Sequence, residues 1–315
     1  MLKNSAFVLL ATIVFVLVFS ASAAVHHNAT ESKPSVGSSD TYELITANLG
    51  SGQVTIYDKD CVERWTYGDV ASIDAWGLKN DEILIAYLPS PKTEEKGGVR
   101  IVSKDKKTVF DYPIQDEVMS CVPMDNGNIL IAECKKGVLS ELTREGKILR
   151  QITLKSKGMG HKTVRNIRLT PQNTILAAEC YSHIVREYNW AGEILNEFNL
   201  QMAYSSHRLA NGNTLVAGYK PAEIVEFDRE GKIVWTFDIS KLKGQNVDFG
   251  KTILFGEAMR LPSGNTLITN YNKKNQVGQT MVVEVTPQME VVRQWKATAK
   301  TKGVLAAKPL LLQGQ

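Results

Sequence analysis

Cysteine, charge imbalance and helical periodicity are all scarce in this sequence. Its 315 residues include four cysteines, none of them in a CxxC pair, so we predict no zinc site and no other metal or cofactor. The net charge is only +4, from 37 basic and 33 acidic side chains, which is too small to indicate nucleic-acid binding. No long amphipathic helix is visible, whereas glycine and asparagine punctuate the whole chain, and this favours a β architecture.

The chain also lacks an apolar run that is long enough to favour a membrane span. The run Phe7–Phe19 has 13 residues, follows the basic Lys3 and precedes the small residues Ala21–Ala24. That order is typical of a cleaved secretory signal peptide, which we place at residues 1–23. An uncleaved N-terminal anchor is the alternative. Residues 24–40 lack apolar periodicity and are expected to form a disordered lead-in.

A turn followed by a strand recurs along the rest of the chain. The clearest copy, LANGNTLVAGY at Leu209–Tyr219, has a tight Asn-Gly turn and then a β-branched apolar run. A second phrase follows it, as in EIVEFDREGKIVWTF at Glu223–Phe237, where alternating apolar residues indicate a two-stranded hairpin. The turns of six such hairpins are placed at Cys61, Lys106, Gly146, Gly192, Gly231 and Met289.

These phrases predict repeated four-stranded meanders of about 46 residues each, in the range of propeller units. One such sheet cannot bury both of its faces, but sheets stacked around an axis can. We therefore predict an all-β, six-bladed β-propeller of four-stranded antiparallel blades at residues 41–315. The first copy lacks its inner strand, and Gly303–Gln313 reads as a spare strand, so we predict that the C-terminal strand completes the first blade and closes the ring. A seventh blade would require a degenerate copy.

The repeats resemble a known family. The pattern NGNTLV…EFDREGKIVWTF is similar to the repeats of pyrroloquinoline-quinone-like propellers and, more closely, of bacterial arylsulfate sulfotransferases, over most of residues 41–297. The resemblance implies a six-bladed propeller. In the sulfotransferases a channel histidine takes the sulfuryl group and further histidine and arginine residues stabilise it. His161, His207 and Arg165 could stand in such roles here. The missing Cys-Cys pair disfavours the quinone-dependent dehydrogenases, which usually have a vicinal disulfide and eight blades.

The copies differ most in the loops that are expected at one mouth of the central channel. Functional residues are expected there because loops can vary without disturbing the stacked sheets. His161 is predicted as a general base or nucleophile, with Arg165 and His207 in the same catalytic set. The alternative is that each histidine only hydrogen-bonds its own loop or packs between sheets. The predicted ligand-binding residues are His183, Tyr181, Tyr204, Tyr219, Lys220, Glu257, Tyr271 and Asn272.

Lysines around the same mouth predict a basic rim, which favours anionic ligands although nearby carboxylates partly cancel it. These lysines are Lys135, Lys136, Lys162, Lys220, Lys251, Lys273 and Lys274. Cys134 and Cys180 close the same phrase in neighbouring repeats, which are usually too far apart for a disulfide, so free and mostly buried thiols are expected.

Two functions fit the sequence. The first is a secreted or periplasmic, monomeric binding module whose channel mouth binds a small or anionic ligand, such as a carbohydrate, or a protein partner. The second is a propeller enzyme with a channel histidine, either a sulfotransferase-like enzyme or a polysaccharide lyase or hydrolase. The enzyme predicts that His161, His207 and Arg165 converge on one point of the axis, whereas the binding module does not require it.

Overall fold

A computed structural model describes residues 42–89, 96–158, 160–244 and 246–310, so the predicted signal peptide and lead-in lie outside the described residues. In these ranges 24 strands form six four-stranded antiparallel sheets, arranged as the predicted β-propeller. No helix in the described part of the chain is long and apolar enough to cross a membrane.

Each blade contributes four strands, counted from the channel outwards. Blade 1 holds β1 (Leu44–Asn48), β2 (Gln53–Tyr57) and β3 (Glu63–Tyr67), and blade 2 holds β4 (Ser72–Gly77), β5 (Ile83–Tyr87), β6 (Gly97–Val102) and β7 (Thr108–Ile114). Blade 3 holds β8 (Val118–Pro123), β9 (Ile129–Glu133), β10 (Val138–Leu142) and β11 (Ile148–Thr153), and blade 4 holds β12 (Asn166–Leu169), β13 (Ile175–Glu179), β14 (Ile184–Tyr188) and β15 (Ile194–Asn199). Blade 5 holds β16 (Ala203–Arg208), β17 (Thr214–Gly218), β18 (Glu223–Phe227) and β19 (Ile233–Thr236), and blade 6 holds β20 (Phe255–Arg260), β21 (Thr266–Asn270), β22 (Thr280–Val285) and β23 (Val291–Lys296).

The C-terminal strand closes the ring, as the sequence predicts. β24 (Val304–Pro309) is the inner strand of blade 1 and pairs antiparallel with β1, where Leu44 is opposite Pro309 and Thr46 is opposite Ala307. The last strand of the chain thereby completes the first sheet. The first and last blades are joined by backbone hydrogen bonds rather than by side chains alone.

The hairpin turns of all six blades lie where the repeat places them. In each blade the predicted turn residue has positive φ, and its backbone N–H donates to the carbonyl three residues earlier. Three of these residues are glycines with φ of 80–83°, at Gly146, Gly192 and Gly231. The other three carry side chains in the same left-handed conformation, with φ of 63–66°, at Cys61, Lys106 and Met289. The turn geometry therefore explains the spacing of the second phrase.

The structure corrects the alignment of one repeat. Letter by letter, RLTPQNT of blade 4 matches RLANGNT of blade 5, which sets Arg168 opposite Arg208. The turn of blade 5 has Gly212 in the left-handed conformation, whereas the turn of blade 4 has Asn173 there, which matches one position later in the letters. Glutamine is a poorer left-handed residue than asparagine, so the turn shifts by one residue. Because side chains alternate along a strand, the shift turns Arg168 to the other face of its sheet.

Two clefts between blades are bridged by an arginine and a glutamate. Arg208 of blade 5 lies 2.5 Å from Glu187 of blade 4, and Arg260 of blade 6 lies 2.8 Å from Glu226 of blade 5. Asn213, from the Asn-Gly turn of the repeat, also donates to Glu226 at 2.8 Å. The repeated asparagine therefore satisfies a carboxylate on the third strand, and each arginine joins one blade to the next.

A buried group of four charges, here called the charge ring, fills the channel. Arg168 Nη1 lies 3.0 Å from Asp74 Oδ2, and the same guanidinium contacts Glu257. Lys308 Nζ lies 3.3 Å from Glu257 Oε2 and also contacts Asp74, while Ser120 Oγ donates to Asp74 at 2.6 Å. The four charged side chains are only 2–4% exposed and come from blades 2, 4, 6 and 1. Burial alone would raise the pKa of Asp74, but Arg168 and Lys308 outweigh it and hold that pKa below its usual range.

Removal of one cation from the charge ring should be costly. In Lys308→Met, two buried carboxylates share one guanidinium, and the free energy of unfolding in urea should fall by about 3–5 kcal/mol. The double variant Lys308→Met/Glu257→Gln should recover part of this loss because it restores charge balance. A loss below about 1 kcal/mol in the single variant would contradict a structural role for the charge ring.

The left-handed turn at Lys106 should carry a measurable strain. Lys106→Gly should raise the free energy of unfolding by about 0.5–1 kcal/mol, because the penalty of the left-handed conformation exceeds the entropic cost of glycine. The matched control is Gly231→Ala at the equivalent turn of blade 5, which should lower it by about 1 kcal/mol. Urea denaturation of both variants measures this, and equal shifts in both would refute the strain.

Candidate functional site

The longest described loop between two blades apart from the segment before blade 6 carries His161 and Arg165 to the channel mouth. It joins β11 of blade 3 to β12 of blade 4. Thr163 fastens the loop, since its backbone N–H donates to the Gly160 carbonyl at 3.0 Å. The Cys134 thiol contacts the same carbonyl at 3.0 Å and the Val164 carbonyl at 3.3 Å. The loop is thus held on both sides of His161.

Glu117, His161 and Arg165 form a chain of hydrogen bonds at this mouth. His161 Nδ1 lies 2.6 Å from Glu117 Oε2, and its Nε2 lies 3.1 Å from Arg165 Nη1. Arginine can only donate, so Nε2 is the acceptor and the proton of the neutral ring lies on Nδ1, where it is donated to Glu117. The carboxylate therefore fixes both the tautomer and the orientation of the imidazole. The His161 side chain is 49% exposed and so remains accessible from the mouth.

Arg165 is a buried cation without a carboxylate partner. The residue is 5% exposed, and its donors contact the Tyr204 hydroxyl, the His161 ring and carbonyl, and the Met119 sulfur. No carboxylate of the described residues lies within 4.0 Å of it, and its Nε is buried without a hydrogen-bond partner. A buried charge normally requires a counter-ion, so this guanidinium leaves positive potential at the mouth.

Three tyrosines form a wall beside Arg165. Tyr204 and Tyr219 stack with ring centroids 5.0 Å apart, and Tyr271 follows at 6.3 Å from Tyr219. The Arg165 guanidinium lies 4.5 Å from the Tyr204 ring centroid, and Lys273 Nζ lies 5.7 Å from that of Tyr271. Burial raises the pKa of Tyr271 to about 12, so the wall is uncharged at neutral pH. The wall offers aromatic faces and hydroxyl groups, with cations at both ends.

His207 lies apart from His161 and Arg165. It is on β16, further into the channel, where Arg168, Glu257 and Lys308 act on it electrostatically, and its Nδ1 lies 3.2 Å from the Arg208 carbonyl. Burial lowers its pKa, and the nearby Arg168 lowers it further, so His207 is neutral at pH 7. The structure therefore brings two members of the predicted catalytic set together and places the third beside the charge ring, which also includes Glu257.

Four other predicted ligand-binding residues have local roles or face solvent. His183 has φ of 55°, and its Nδ1 accepts from the Met202 backbone at 3.0 Å. Asn272 donates to the Thr252 carbonyl at 3.0 Å and accepts from the Lys274 backbone at 3.0 Å. Tyr181 and Lys220 are exposed. Tyr204, Tyr219 and Tyr271 are thus the predicted ligand-binding residues that lie nearest to Arg165.

The rim of the mouth is basic after its ion pairs are considered. Lys135 lies 3.5 Å from Glu117, and Lys136 lies 2.7 Å from Glu133. Four further lysines have no ion-pair partner among the residues described, namely Lys162, Lys220, Lys251 and Lys274. With Arg165 they leave the mouth with an excess of positive charge, which favours anions.

Sequence reasoning missed the charge ring and the role of Glu117. A signal was available, because Asp74, Arg168 and Lys308 interrupt strands that are otherwise apolar. Charges at such positions must find partners across the channel. Glu117 gave no comparable signal, since it is one of several carboxylates in variable loops.

The cysteines and metal-binding groups agree with a site built from hydrogen bonds and charge. Cys121, Cys134 and Cys180 are buried free thiols, and Cys61 is half-buried and also free. Burial raises the pKa of the Cys134 thiol to about 11, so it is a neutral packing group. Within the described ranges, no group of three histidine, cysteine or acidic residues is arranged to hold a metal ion.

Comparison with known proteins shows the fold. No protein-family model matches the chain, and no curated protein matches it in sequence. It is similar to a protein of unknown function from Bacteroides caccae, with TM-score 0.73 and 20% identity over 86% of this chain and 99% of that one. A streptogramin B lyase matches with TM-score 0.56 and 13% identity over 83% and 82% of the two chains.

A further similar structure is a catalytically inactive virginiamycin B lyase from Staphylococcus aureus, solved with quinupristin. It matches with TM-score 0.52 and 13% identity over 74% of this chain and 72% of that one. Pyrroloquinoline-quinone-like propellers and arylsulfate sulfotransferases are not among the similar structures named here. At these identities the likeness extends to the fold alone: the chain is a six-bladed β-propeller with neighbours of the streptogramin B lyase type.

Proposed function

We propose that the protein is an exported binding module that holds a small anionic ligand at its channel mouth. The buried and uncompensated charge of Arg165 carries this proposal. A buried guanidinium without a carboxylate is unfavourable, and an anion at the mouth would lower its energy. The lysines of the rim would attract the anion and raise its rate of association. Export rests on the predicted signal peptide.

The ligand is expected to carry a ring as well as an acidic group. Tyr204, Tyr219 and Tyr271 offer ring faces and hydroxyls beside the cation, a combination that suits sugar or aromatic rings. His161 is the most exposed polar group of the cluster, and its imidazole is already oriented by Glu117. An acidic carbohydrate or an aryl anion meets these requirements. The charge ring fills the channel beneath, so the ligand enters only from the mouth.

A second function, an enzyme, is favoured by the Glu117–His161 pair. A carboxylate that orients an imidazole is a recurring arrangement of a general base. In the virginiamycin B lyase named above, a histidine-to-alanine variant is catalytically inactive. Here His161 Nε2 already accepts from Arg165 at 3.1 Å, so a substrate acid or hydroxyl would have to replace the guanidinium before proton transfer. The binding module needs no such rearrangement and is therefore preferred.

Binding can be measured by calorimetry with oligogalacturonate and an aryl sulfate as probes. Arg165→Met should weaken binding about 10- to 100-fold, because one charge-assisted partner contributes about 1.5–3 kcal/mol. The matched control, Arg229→Met on the opposite face, should bind as the wild type does. Because Arg165→Met could disturb Tyr204, the exposed His161→Ala is the second variant, and it should also weaken binding. Unchanged affinity in both would exclude the mouth, and no binding of either probe would favour a protein partner.

The enzyme can be tested with the same probes. If His161 is a general base, the wild type converts a probe to product, and Glu117→Gln lowers the rate about 10²- to 10⁴-fold with little change in affinity. Product formation is followed by chromatography under saturating probe. Bound probe that stays intact would refute the enzyme and leave the binding module in place, and an equal rate in Glu117→Gln would refute the role of the carboxylate.

A further inference from the structure

A second cavity lies on the face opposite the mouth, in the cleft between blades 1 and 2. Its volume is ≈ 350 Å³, within the usual range of small-molecule sites. Its apolar lining consists of Ile56, Trp65, Leu78, Ile83 and Leu310. We refer to it as the cleft cavity. None of these residues belongs to the channel mouth or to the charge ring.

The cleft cavity exists because this cleft lacks the arginine–glutamate bridge. Between blades 4 and 5, and between blades 5 and 6, a glutamate on the third strand meets an arginine at the end of the next inner strand. Strand pairing places Ile56 and Gly77 at the equivalent positions here. An isoleucine and a glycine cannot form the bridge, and they leave the volume of an arginine side chain unfilled. The opening is therefore specific to this pair of blades rather than a property of the repeat.

The charges around the cleft cavity leave one carboxylate unpaired. Arg64 lies 2.5 Å from Asp58, Lys104 lies 4.0 Å from Asp81, and Glu82 is paired with Arg144 at 3.0 Å. Glu43 lines the cavity and is half-buried. Its carboxylate has no ion pair or hydrogen bond with any residue that the structure describes.

Two further features limit what the cavity can hold. The indole N–H of Trp65 is already used, because it donates to the Lys104 carbonyl at 2.7 Å. Trp65 therefore presents its apolar ring, and its neighbour Tyr67 stacks behind it at 6.2 Å between centroids. A ligand would find a rigid apolar wall on one side and a single free negative charge on the other. Polar ligands that need several hydrogen-bond partners would not be satisfied there.

We propose that the cleft cavity binds a small organic cation with an apolar body, whose ammonium group pairs with Glu43. The apolar body would fill the volume that the missing bridge leaves, against Trp65, Leu78 and Ile83. The site takes a ligand of opposite charge to that of the mouth, on the opposite face of the propeller. It is independent of the function proposed for the mouth.

Three probes with one shape and different charge test this proposal: adamantylamine, adamantanol and adamantane carboxylate. Calorimetry on the full chain should detect the amine with a dissociation constant below about 1 mM, the alcohol more weakly and the carboxylate not at all. Glu43→Gln should weaken the amine about 3- to 10-fold and leave the alcohol unchanged. The control is Glu63→Gln, an exposed carboxylate on β3 of the same blade, which should have no effect.

Leu78→Trp provides a second variant, since the larger ring should fill the cavity and abolish binding of both amine and alcohol. Binding of the amine that survives both Glu43→Gln and Leu78→Trp would place it elsewhere and overturn the proposal. Equal affinity for the amine and the carboxylate, or no binding of any probe, would also overturn it. Arg165→Met at the mouth should leave amine binding unchanged, so failure of this site and failure of the mouth are distinguishable.

Discussion

Two carboxylates and two cations meet at the axis of the propeller, and the rest of the structure is arranged around them. Asp74, Arg168, Glu257 and Lys308 come from four different blades and have almost no contact with water. Removing such charges from water is expensive, so their mutual pairing must be nearly complete. It is complete only when all four inner strands are at the correct height. The charge ring therefore favours one register of the blades over others. Because Lys308 lies on the closing strand, the same interaction rewards closure of the ring.

The channel mouth differs from the charge ring in one respect that matters for function. In the ring every charge has a partner of opposite sign, whereas Arg165, only three residues before Arg168 in the sequence, has none among the described residues. The two arginines thus occupy similar depths of burial but opposite electrostatic situations. A ring of paired charges stabilises a fold, while a buried cation with no counter-ion is poised to bind one. Glu117 and His161 extend that cation to the accessible surface.

Much of the fold could be predicted because it follows from local backbone demands. The hairpin turns need a left-handed residue at a fixed place, and this alone located all six blades, even where Lys106 or Met289 stands in the place of glycine. The C-terminal strand could be assigned because one blade lacked an inner strand. The site was less predictable. His161 and Arg165 lie four residues apart in one loop and meet as expected, but the depth of His207 depends on its strand register.

The charge ring could not be derived from the repeat because one of its members depends on an irregularity. In the letters of the repeat, Arg168 matches the bridging arginine Arg208, and only the turn at Asn173 moves it to the channel. A change of one residue in a turn thus decides whether an arginine joins two blades or closes the channel. The cleft cavity has a similar origin, since two ordinary substitutions in the repeat remove a bridge.

The central claim is that the uncompensated charge of Arg165 makes the channel mouth an anion site. Anomalous diffraction from a crystal soaked in bromide tests this claim most directly, because bromide is a small anion that scatters strongly and makes no demand on the shape of a ligand. We expect a bromide at the mouth, in contact with Arg165 or His161, which is absent from crystals of Arg165→Met soaked in the same way. Bromide bound only at exposed lysines, with none at the mouth, would contradict the account.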